Sequence, residues 1–134
     1  MTDSQTLVNA ARTAAEKSYS PYSKFPVGAA ILWDDGTLSV GVNVENASYP
    51  LSVCAERSAV SAGVTEGKRR LIKVAVWANV EGVVAPCGAC RQVLYEFCSA
   101  DAENVEVLLA GRSEVRSTTL ATLLPDAFGP ESLT

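Results

Sequence analysis

The sequence predicts an α/β fold in which helices cover both faces of a mixed β-sheet, giving three layers. Two apolar segments flank a hairpin signal in the first third of the chain, and later segments alternate between strand and helix patterns. A hairpin pairs its strands antiparallel, whereas strands joined through a helix pair in parallel. The chain of 134 residues is long enough for one sizeable core, so we expect residues 1–134 to form a single domain.

A helix and a hairpin are predicted in the first half of the chain. Leu7, Ala11 and Ala14 recur with helical spacing, and prolines and serines after them indicate an ordered loop. The Asp-Asp-Gly sequence at residues 34–36 is typical of a tight turn between two strands. The predicted elements are a helix over residues 6–17, a loop over 18–26, strands over 27–33 and 38–44, and a loop over 46–53.

Helices and strands alternate in the second half. Val and Ile are typical of buried strands, and apolar residues with helical spacing follow Cys54. Pro86 suits the first turn of a helix, where its missing N–H costs nothing, and Pro125 ends the last helix. The predicted elements are a helix over residues 54–67, a strand over 71–78, a helix over 86–98, a strand over 105–110 and a short helix over 118–124.

The charge balance argues against two classes of partner. The net charge is −4, whereas affinity for nucleic acids and anionic membranes comes mainly from Lys and Arg. Residues 1–10 show no leader pattern, and the longest apolar run, residues 27–33, is far too short to span a bilayer. We therefore expect a cytoplasmic protein. Because the chain has no histidine, Ser-His and Cys-His catalysis and histidine metal ligands are excluded.

Three cysteines have the pattern expected of ligands to one metal ion. Cys87 and Cys90 have C-x-x-C spacing, which at the start of a helix turns both thiols towards one point. Cys54 would add a third thiolate from the start of a neighbouring helix, and the positive end of each helix dipole favours the thiolate. Three protein ligands with one open position are typical of a catalytic zinc.

Two other interpretations of the cysteines stay open at this point. The C-x-x-C pair is compatible with thiol redox chemistry, although a redox pair does not require a distant Cys-x-Glu. A closed structural zinc site would need Cys98 as a fourth ligand. On a continuous helix Cys98 lies about 12 Å along the axis from Cys90, too far to share one ion. We therefore expect Cys98 to be a small buried apolar residue.

Two charged residues follow the first cysteine. An acid in the first turn of a helix is stabilised by the helix dipole alone. Two positions from a metal thiolate, however, Glu56 is a candidate general acid and base. Arg57 is either a solvated surface charge or a donor to the sulfurs, because three thiolates on Zn²⁺ leave excess negative charge that a guanidinium would offset.

The cysteine motifs, Cys-Ala-Glu at residues 54–56 and Pro-Cys-Gly-Ala-Cys at 86–90, resemble the zinc deaminase signature in its three-cysteine form. The resemblance is specific for the small homotetrameric cytidine deaminases, because other segments are similar to that family as well. These segments are SPYSKFPVGAA at residues 20–30, GVNVENASY at 41–49 and LLPDAFGP at 123–130. The resemblance covers most of residues 20–130 and leaves residues 99–117 unassigned.

This resemblance implies a fold, a reaction and a cofactor. It implies a three-layer α/β/α cytidine-deaminase-like fold with a five-stranded mixed sheet and one zinc ion per subunit, bound by Cys54, Cys87 and Cys90. The implied reaction is the hydrolysis of cytidine and 2′-deoxycytidine to uridine and 2′-deoxyuridine with release of ammonia, in pyrimidine salvage. Glu56 would carry the protons to N3 of the base and to the leaving ammonia.

The family's nucleoside contacts correspond to residues of this sequence. By resemblance, Phe25 would stack on the pyrimidine, and Ala55 would offer backbone contacts to the amide edge of the base. Asn43 and Glu45 would hold the ribose 3′-hydroxyl. Because a buried amide and carboxylate left unpaired are costly, a sugar without that hydroxyl should be rejected.

The resemblance also implies a homotetramer whose active sites are shared between subunits. Ala47 and Tyr49 would reach the 5′-hydroxyl of a nucleoside bound in a neighbouring subunit, and Phe128 would cover a neighbour's base. Tyr22 is similar to a tyrosine at subunit contacts, or packs on the core of its own chain.

Three rival functions need to be distinguished from this one. A deaminase of a cytosine-bearing antibiotic, similar to blasticidin S deaminases, is disfavoured by Phe25 and by the pair Asn43 and Glu45. A deaminase acting on nucleic acid is disfavoured by the negative charge and the short chain. A zinc-stabilised structural protein without turnover predicts a closed site with four ligands.

Overall fold

The computed structural model describes residues 3–134, which form a five-stranded β-sheet with helices on both faces. The α-helices are α1 (Ser4–Ala15), α2 (Ala55–Thr65), α3 (Gly88–Glu96) and α4 (Leu120–Leu123). The strands are β1 (Val27–Trp33), β2 (Leu38–Val42), β3 (Leu71–Ala78), β4 (Glu106–Ala110) and β5 (Val115–Thr119). Short 3₁₀ turns span Tyr49–Leu51, Ser99–Asn104 and Pro130–Leu133.

The sheet has the strand order β2-β1-β3-β4-β5. Strands β3 and β4 pair in parallel, and the other neighbouring strands pair antiparallel. The connection between the two parallel strands runs through α3, as a crossover connection requires. The prediction of a mixed sheet in a three-layer α/β/α fold is therefore confirmed.

Strand β1 lies between β2 and β3 and directs alternate side chains into two cores. Ala29, Ile31 and Trp33 pack with residues of α2 and α3. Ala30 and Leu32 face the opposite side and pack with α1. Because helices cover both faces, this strand is a continuous apolar run rather than an alternation of apolar and polar residues.

Gly41 allows α2 to approach β2 closely. A Cβ at this position would lie 2.2 Å from the backbone N of Ala59 and 2.6 Å from the backbone O of Ala55. A larger residue would therefore push α2 away from the sheet. Since Cys54 and Glu56 lie at the start of α2, this contact determines where both stand relative to the sheet.

Helix α3 is shorter at both ends than the sequence predicts. It begins at Gly88 rather than Pro86, because the backbone of Cys87 is extended (φ −66°, ψ 165°) and this residue is the N-cap. It ends at Glu96 rather than residue 98, since Cys98 has a non-helical backbone (φ −155°, ψ 17°).

Strand β5 is missed by the sequence prediction, which wrongly assigns residues 118 and 119 to a helix. This strand pairs with β4 at the edge of the sheet, and Arg116 and Ser117 are exposed. A polar edge strand lacks the apolar alternation by which strands are recognised. Helix α4 starts only after Thr119, whose side chain accepts a hydrogen bond from the N–H of Thr122.

Helix α1 begins after Asp3, whose carboxylate accepts a hydrogen bond from the backbone N–H of Thr6 at 2.8 Å. Residues 1–10, for which the sequence shows no leader pattern, begin with Met1 and Thr2. These two residues lie outside the part of the chain that the structure describes. Within residues 3–134, every helix is too short or too polar to cross a membrane.

Candidate functional site

The N-termini of two helices bring three thiols together. Cys54 is the N-cap of α2 and Cys87 is the N-cap of α3, and neither side chain caps its own helix. Cys90 follows in the first turn of α3. The Sγ atoms of Cys54 and Cys87 lie 4.0 Å apart, and those of Cys87 and Cys90 lie 3.3 Å apart. All three sulfurs lie within 4.8 Å of one another.

The three sulfurs fit a tetrahedral metal ion. With Zn–S bonds of about 2.3 Å, neighbouring sulfurs of a tetrahedral site are about 3.8 Å apart. The observed separations of 3.3 and 4.0 Å lie on either side of that value. Thiolates are soft ligands that suit zinc, and three of them leave one coordination position open. The cluster is therefore a candidate metal site of the catalytic kind.

Cys98 stands apart from this cluster. Its side chain is buried, and its Sγ donates a hydrogen bond to the backbone O of Leu94 at 3.4 Å. Among residues 3–134, the potential ligands that come together in a group of three are Cys54, Cys87 and Cys90. The structure therefore does not form the four-cysteine site of the structural-zinc interpretation, and Cys98 is buried as the sequence predicts.

The thiols have different electrostatic environments. Burial raises the pKa of the Cys90 thiol far above its usual range, and the charge of Glu56 raises it further. Burial also acts to raise the pKa of Cys87. Hydrogen bonds from the Cys90 backbone and from the neighbouring thiols outweigh that effect, so the pKa of Cys87 is lowered. A bound divalent cation favours the thiolate form at each ligand.

Glu56 is the buried charged residue of the site and is only 5% exposed. It lies in the first turn of α2 and lines the same cavity as Cys54 and Cys87. Burial raises the pKa of its carboxyl, an effect opposed by its own backbone N–H and by the charge of Arg57. A carboxyl with a raised pKa is suited to accepting and returning a proton near neutral pH.

Arg57 contacts the thiol cluster from the side of α2. Its Nη2 lies 4.0 Å from the Sγ of Cys54 and donates to the backbone O of Ser52 at 3.3 Å. Its Nε is buried and has no hydrogen-bond partner among the described residues. A guanidinium held against a thiolate is placed to offset the excess negative charge of a three-thiolate metal site.

A cavity of about 340 Å³ lies beside the thiols and Glu56. This volume is at the lower end of the range for small-molecule sites. The sequence-predicted site residues in its wall, besides Glu56 and two of the cysteines, are Phe25, Asn43, Glu45 and Ala55. The remaining lining residues are Ser23, Val27, Val76, Ala78, Val84 and Ala85.

The side-chain amide of Asn43 has a defined orientation. Its Oδ1 accepts hydrogen bonds from the N–H of Val27 at 3.0 Å and from the hydroxyl of Ser18. Its Nδ2 donates to the backbone O of Phe25 at 2.8 Å. Since an amide nitrogen carries two protons, one N–H of Asn43 remains to donate to a ligand in the cavity.

Glu45 binds the loop that precedes β1. Its Oε1 accepts hydrogen bonds from the backbone N–H groups of Tyr22 at 3.0 Å and Ser23 at 3.1 Å, and its Oε2 accepts from the Ser23 hydroxyl. The hydrogen bond from the Ser23 hydroxyl is the main cause that lowers the pKa of Glu45. Glu45 is therefore ionised at neutral pH and offers a ligand acceptors only.

The three residues assigned to a neighbour's site do not reach the thiols of their own chain. Ala47 is exposed, as are Tyr49 (67%) and Phe128 (61%), and none of them lines the 340 Å³ cavity. The ring of Tyr49 packs edge-on against that of Tyr22, with centroids 5.9 Å apart, beside a second cavity of about 320 Å³.

Sequence reasoning assigned no role to Ser23, Val84 or Ala85, although all three line the cavity. Ser23 lies two positions before Phe25, and Ala85 immediately precedes the Pro-Cys-Gly-Ala-Cys motif. Their proximity to those motifs is the sequence feature that could have indicated a place in the cavity wall. The hydrogen bonds of Ser23 to Glu45 depend on the folded loop and have no signature in the sequence.

Comparison with known proteins agrees with this geometry. A family model described as the "cytidine and deoxycytidylate deaminase zinc-binding region" matches residues 1–106. The cytidine deaminase of Sporosarcina psychrophila is 46% identical over 132 residues, which cover 98% of this chain and 95% of that protein. That of Mycobacterium tuberculosis H37Rv is 46% identical over 123 residues, covering 92% of this chain and 87% of the relative.

A solved structure shows the same architecture. The crystal structure of a cytidine deaminase from Burkholderia pseudomallei superposes with a TM-score of 0.88 at 45% sequence identity. The match covers 95% of this chain and 100% of the other. The five-stranded mixed sheet and its flanking helices are therefore shared with that protein.

Proposed function

Since the chain belongs to the cytidine and deoxycytidylate deaminase family and is a hydrolytic cytidine deaminase, we propose that it converts free cytidine and 2′-deoxycytidine to uridine and 2′-deoxyuridine with release of ammonia. The observation that carries this proposal is the position of Glu56. Its buried carboxyl lines one cavity together with two of the clustered thiols and with Phe25, Asn43 and Glu45.

Cys54, Cys87 and Cys90 are the proposed ligands of one zinc ion per subunit. Their spacing suits tetrahedral coordination, and their thiolates suit zinc. When bound, a zinc ion supplies Lewis-acid chemistry that makes water a nucleophile at neutral pH. Arg57 offsets the charge of the thiolates through its contact with Cys54.

Glu56 is the proposed proton carrier. It accepts a proton from the attacking water and donates it to N3 of the base, so that oxygen adds at C4. It then takes the proton of the new C4 hydroxyl and donates it to the departing amino group, which leaves as ammonia. Because Glu56 is almost completely buried, these transfers occur out of contact with bulk solvent.

Asn43 and Glu45 are the proposed sugar site. The free N–H of Asn43 is a donor, and the Glu45 carboxylate accepts. A ribose 3′-hydroxyl matches this arrangement, because it accepts from Asn43 and donates to Glu45 in the same contact. Phe25 is proposed to stack on the pyrimidine, and the backbone at Ala55 to contact the amide edge of the base.

A homotetramer with shared active sites is proposed to complete the nucleoside site. Ala47, Tyr49 and Phe128 are exposed in the single chain, as expected for residues that act across an interface. Tyr22 packs edge-on against Tyr49 and is itself exposed, which supports a role for both tyrosines at the proposed interface. We place the reaction in pyrimidine salvage in the cytoplasm, with a small-molecule nucleoside, not nucleic acid or a membrane, as the partner.

The direct test is deamination by the zinc-loaded protein, followed by the loss of cytosine absorbance and the release of ammonia. We expect stoichiometric conversion of cytidine and of 2′-deoxycytidine. Single-stranded oligonucleotides containing cytosine serve as the comparison and should be unchanged. Absence of ammonia with both nucleosides would contradict the proposed function.

A further inference from the structure

The hydroxyl of Ser23 lies between two residues of the cavity wall. It donates to Oε2 of Glu45 and accepts a hydrogen bond from the backbone N–H of Phe25 at 3.1 Å. The backbone N–H of Ser23 donates to the other carboxylate oxygen of Glu45 at 3.1 Å. Because a serine hydroxyl has a single proton, its donation to Glu45 leaves only its lone pairs for Phe25. The orientation of the hydroxyl is thereby determined.

Both backbone polar groups of Phe25 make hydrogen bonds to side chains of the cavity wall. Phe25 lies in the loop before β1, and Lys24 just before it has a positive φ of 58°, so the chain turns sharply here. The C=O of Phe25 accepts from Asn43, and its N–H donates to Ser23. These two hydrogen bonds hold both polar groups of a residue that lies outside helix and strand.

We propose that Ser23 is a positioning residue that couples Glu45 to Phe25, so that the sugar site and the base-stacking ring are held in one relative position. The inference rests on the proposed function for the roles of Glu45 and Phe25. Ser23 acts through these two residues and not on the reacting atoms. Its loss leaves Oε2 of Glu45 without its donor and the N–H of Phe25 without its acceptor.

Substitution of Ser23 is expected to weaken nucleoside binding more than turnover. In Ser23→Ala we expect KM for cytidine to rise about tenfold with kcat changed less than about twofold, since one hydrogen bond to a charged group is lost. Ser23→Thr retains the hydroxyl and should stay within about threefold of the parent protein. A fall in kcat with unchanged KM in Ser23→Ala would overturn the proposal, as would equal losses in the Ala and Thr variants.

A second measurement tests the coupling between Glu45 and Phe25 without requiring turnover. Amide hydrogen exchange at Phe25 should accelerate about tenfold in Ser23→Ala. It should also accelerate in Glu45→Ala, although the Glu45 carboxylate makes no hydrogen bond to Phe25, because both the hydroxyl and the backbone N–H of Ser23 then lose their acceptor. Glu66→Ala, which removes an exposed glutamate at the end of α2, is the matched control and should not change it.

The two measurements separate this inference from the proposed function. Failure of the parent protein to deaminate cytidine refutes the function, whereas the exchange rates still report whether Ser23 couples the two residues. Unchanged exchange at Phe25 in Glu45→Ala refutes the coupling even when deamination is normal. Faster exchange in both variants, with the Glu66→Ala control unchanged, supports it.

Discussion

Cys54 and Cys87 occupy the same position in two different helices. Each is the N-cap of its helix, and their Sγ atoms lie 4.0 Å apart. The positive ends of two helix dipoles therefore converge where thiolate charge accumulates. Helix α2 is placed by its close contact with Gly41, and α3 starts at the residue after Cys87. The candidate metal site is thus built from the relative placement of the two helices.

Metal content should distinguish the clustered cysteines from the isolated one. We expect Cys87→Ser to lose bound zinc, whereas Cys98→Ser should retain about one zinc per chain. Cys98 is the matched control, because its buried thiol lies in the hydrophobic core outside the thiol cluster and donates a hydrogen bond to the backbone O of Leu94. Elemental analysis of purified, folded variants gives the number of zinc ions per chain. Loss of zinc from Cys98→Ser would instead support a zinc site with four cysteine ligands.

Arg57 should strengthen metal binding through charge. In Arg57→Ala we expect zinc affinity to fall about tenfold, measured by competition with a chromophoric chelator, since residues around metal ligands typically have effects of this size. Arg70→Ala removes an exposed arginine that pairs with Asp101 and should leave zinc affinity unchanged. Equal affinity of the Arg57→Ala variant and the parent protein would show that the charge of Arg57 has no influence on the metal.

Discrimination by the sugar site should depend on Asn43. The parent protein should have a kcat/KM for cytidine at least about tenfold higher than for 3′-deoxycytidine, because the latter leaves the Asn43 N–H and the Glu45 carboxylate unpaired. In Asn43→Ala this preference should largely disappear, whatever the absolute rate. A preference that persists in the variant would place recognition of the 3′-hydroxyl elsewhere.

Phe128 should contribute to a neighbour's site only in an oligomer. We expect sedimentation to give a tetramer and Phe128→Ala to raise KM for cytidine several-fold. Leu133→Ala, which shortens another exposed apolar side chain near the C-terminus, should leave KM unchanged. A fully active monomer would rule out the cross-subunit roles of Ala47, Tyr49 and Phe128.

Much of the fold follows from local sequence patterns. The bounds of β1 and β3 match the prediction to the residue, because both strands are rich in apolar residues and lie between turns or loops. The polar edge strand β5 is not predicted in this way, because its exposed side chains show no alternation of apolar and polar residues. The start of α3 also differs from the local prediction, because Cys87 adopts an extended backbone and Pro86 therefore lies outside the helix.

The thiol cluster could be predicted from the spacing of the cysteines in the sequence, whereas the contacts around the cavity could not. C-x-x-C spacing and a distant Cys-Ala-Glu are sequence features that predict convergence on one ion. The hydrogen bonds of Asn43 and Glu45 to residues 18–27 join segments distant in sequence, and only the folded loop reveals them.

The role of Glu56 as proton carrier is tested by one pair of variants. Glu56→Gln preserves the size of the side chain but cannot carry a proton, and Glu66→Gln makes the same change at the exposed C-cap residue of the same helix. We expect Glu56→Gln to retain its fold and its zinc and to lose at least about a hundredfold in kcat for cytidine, with Glu66→Gln unchanged. A Glu56→Gln variant that deaminates cytidine at the parent rate would show that Glu56 does not carry the proton.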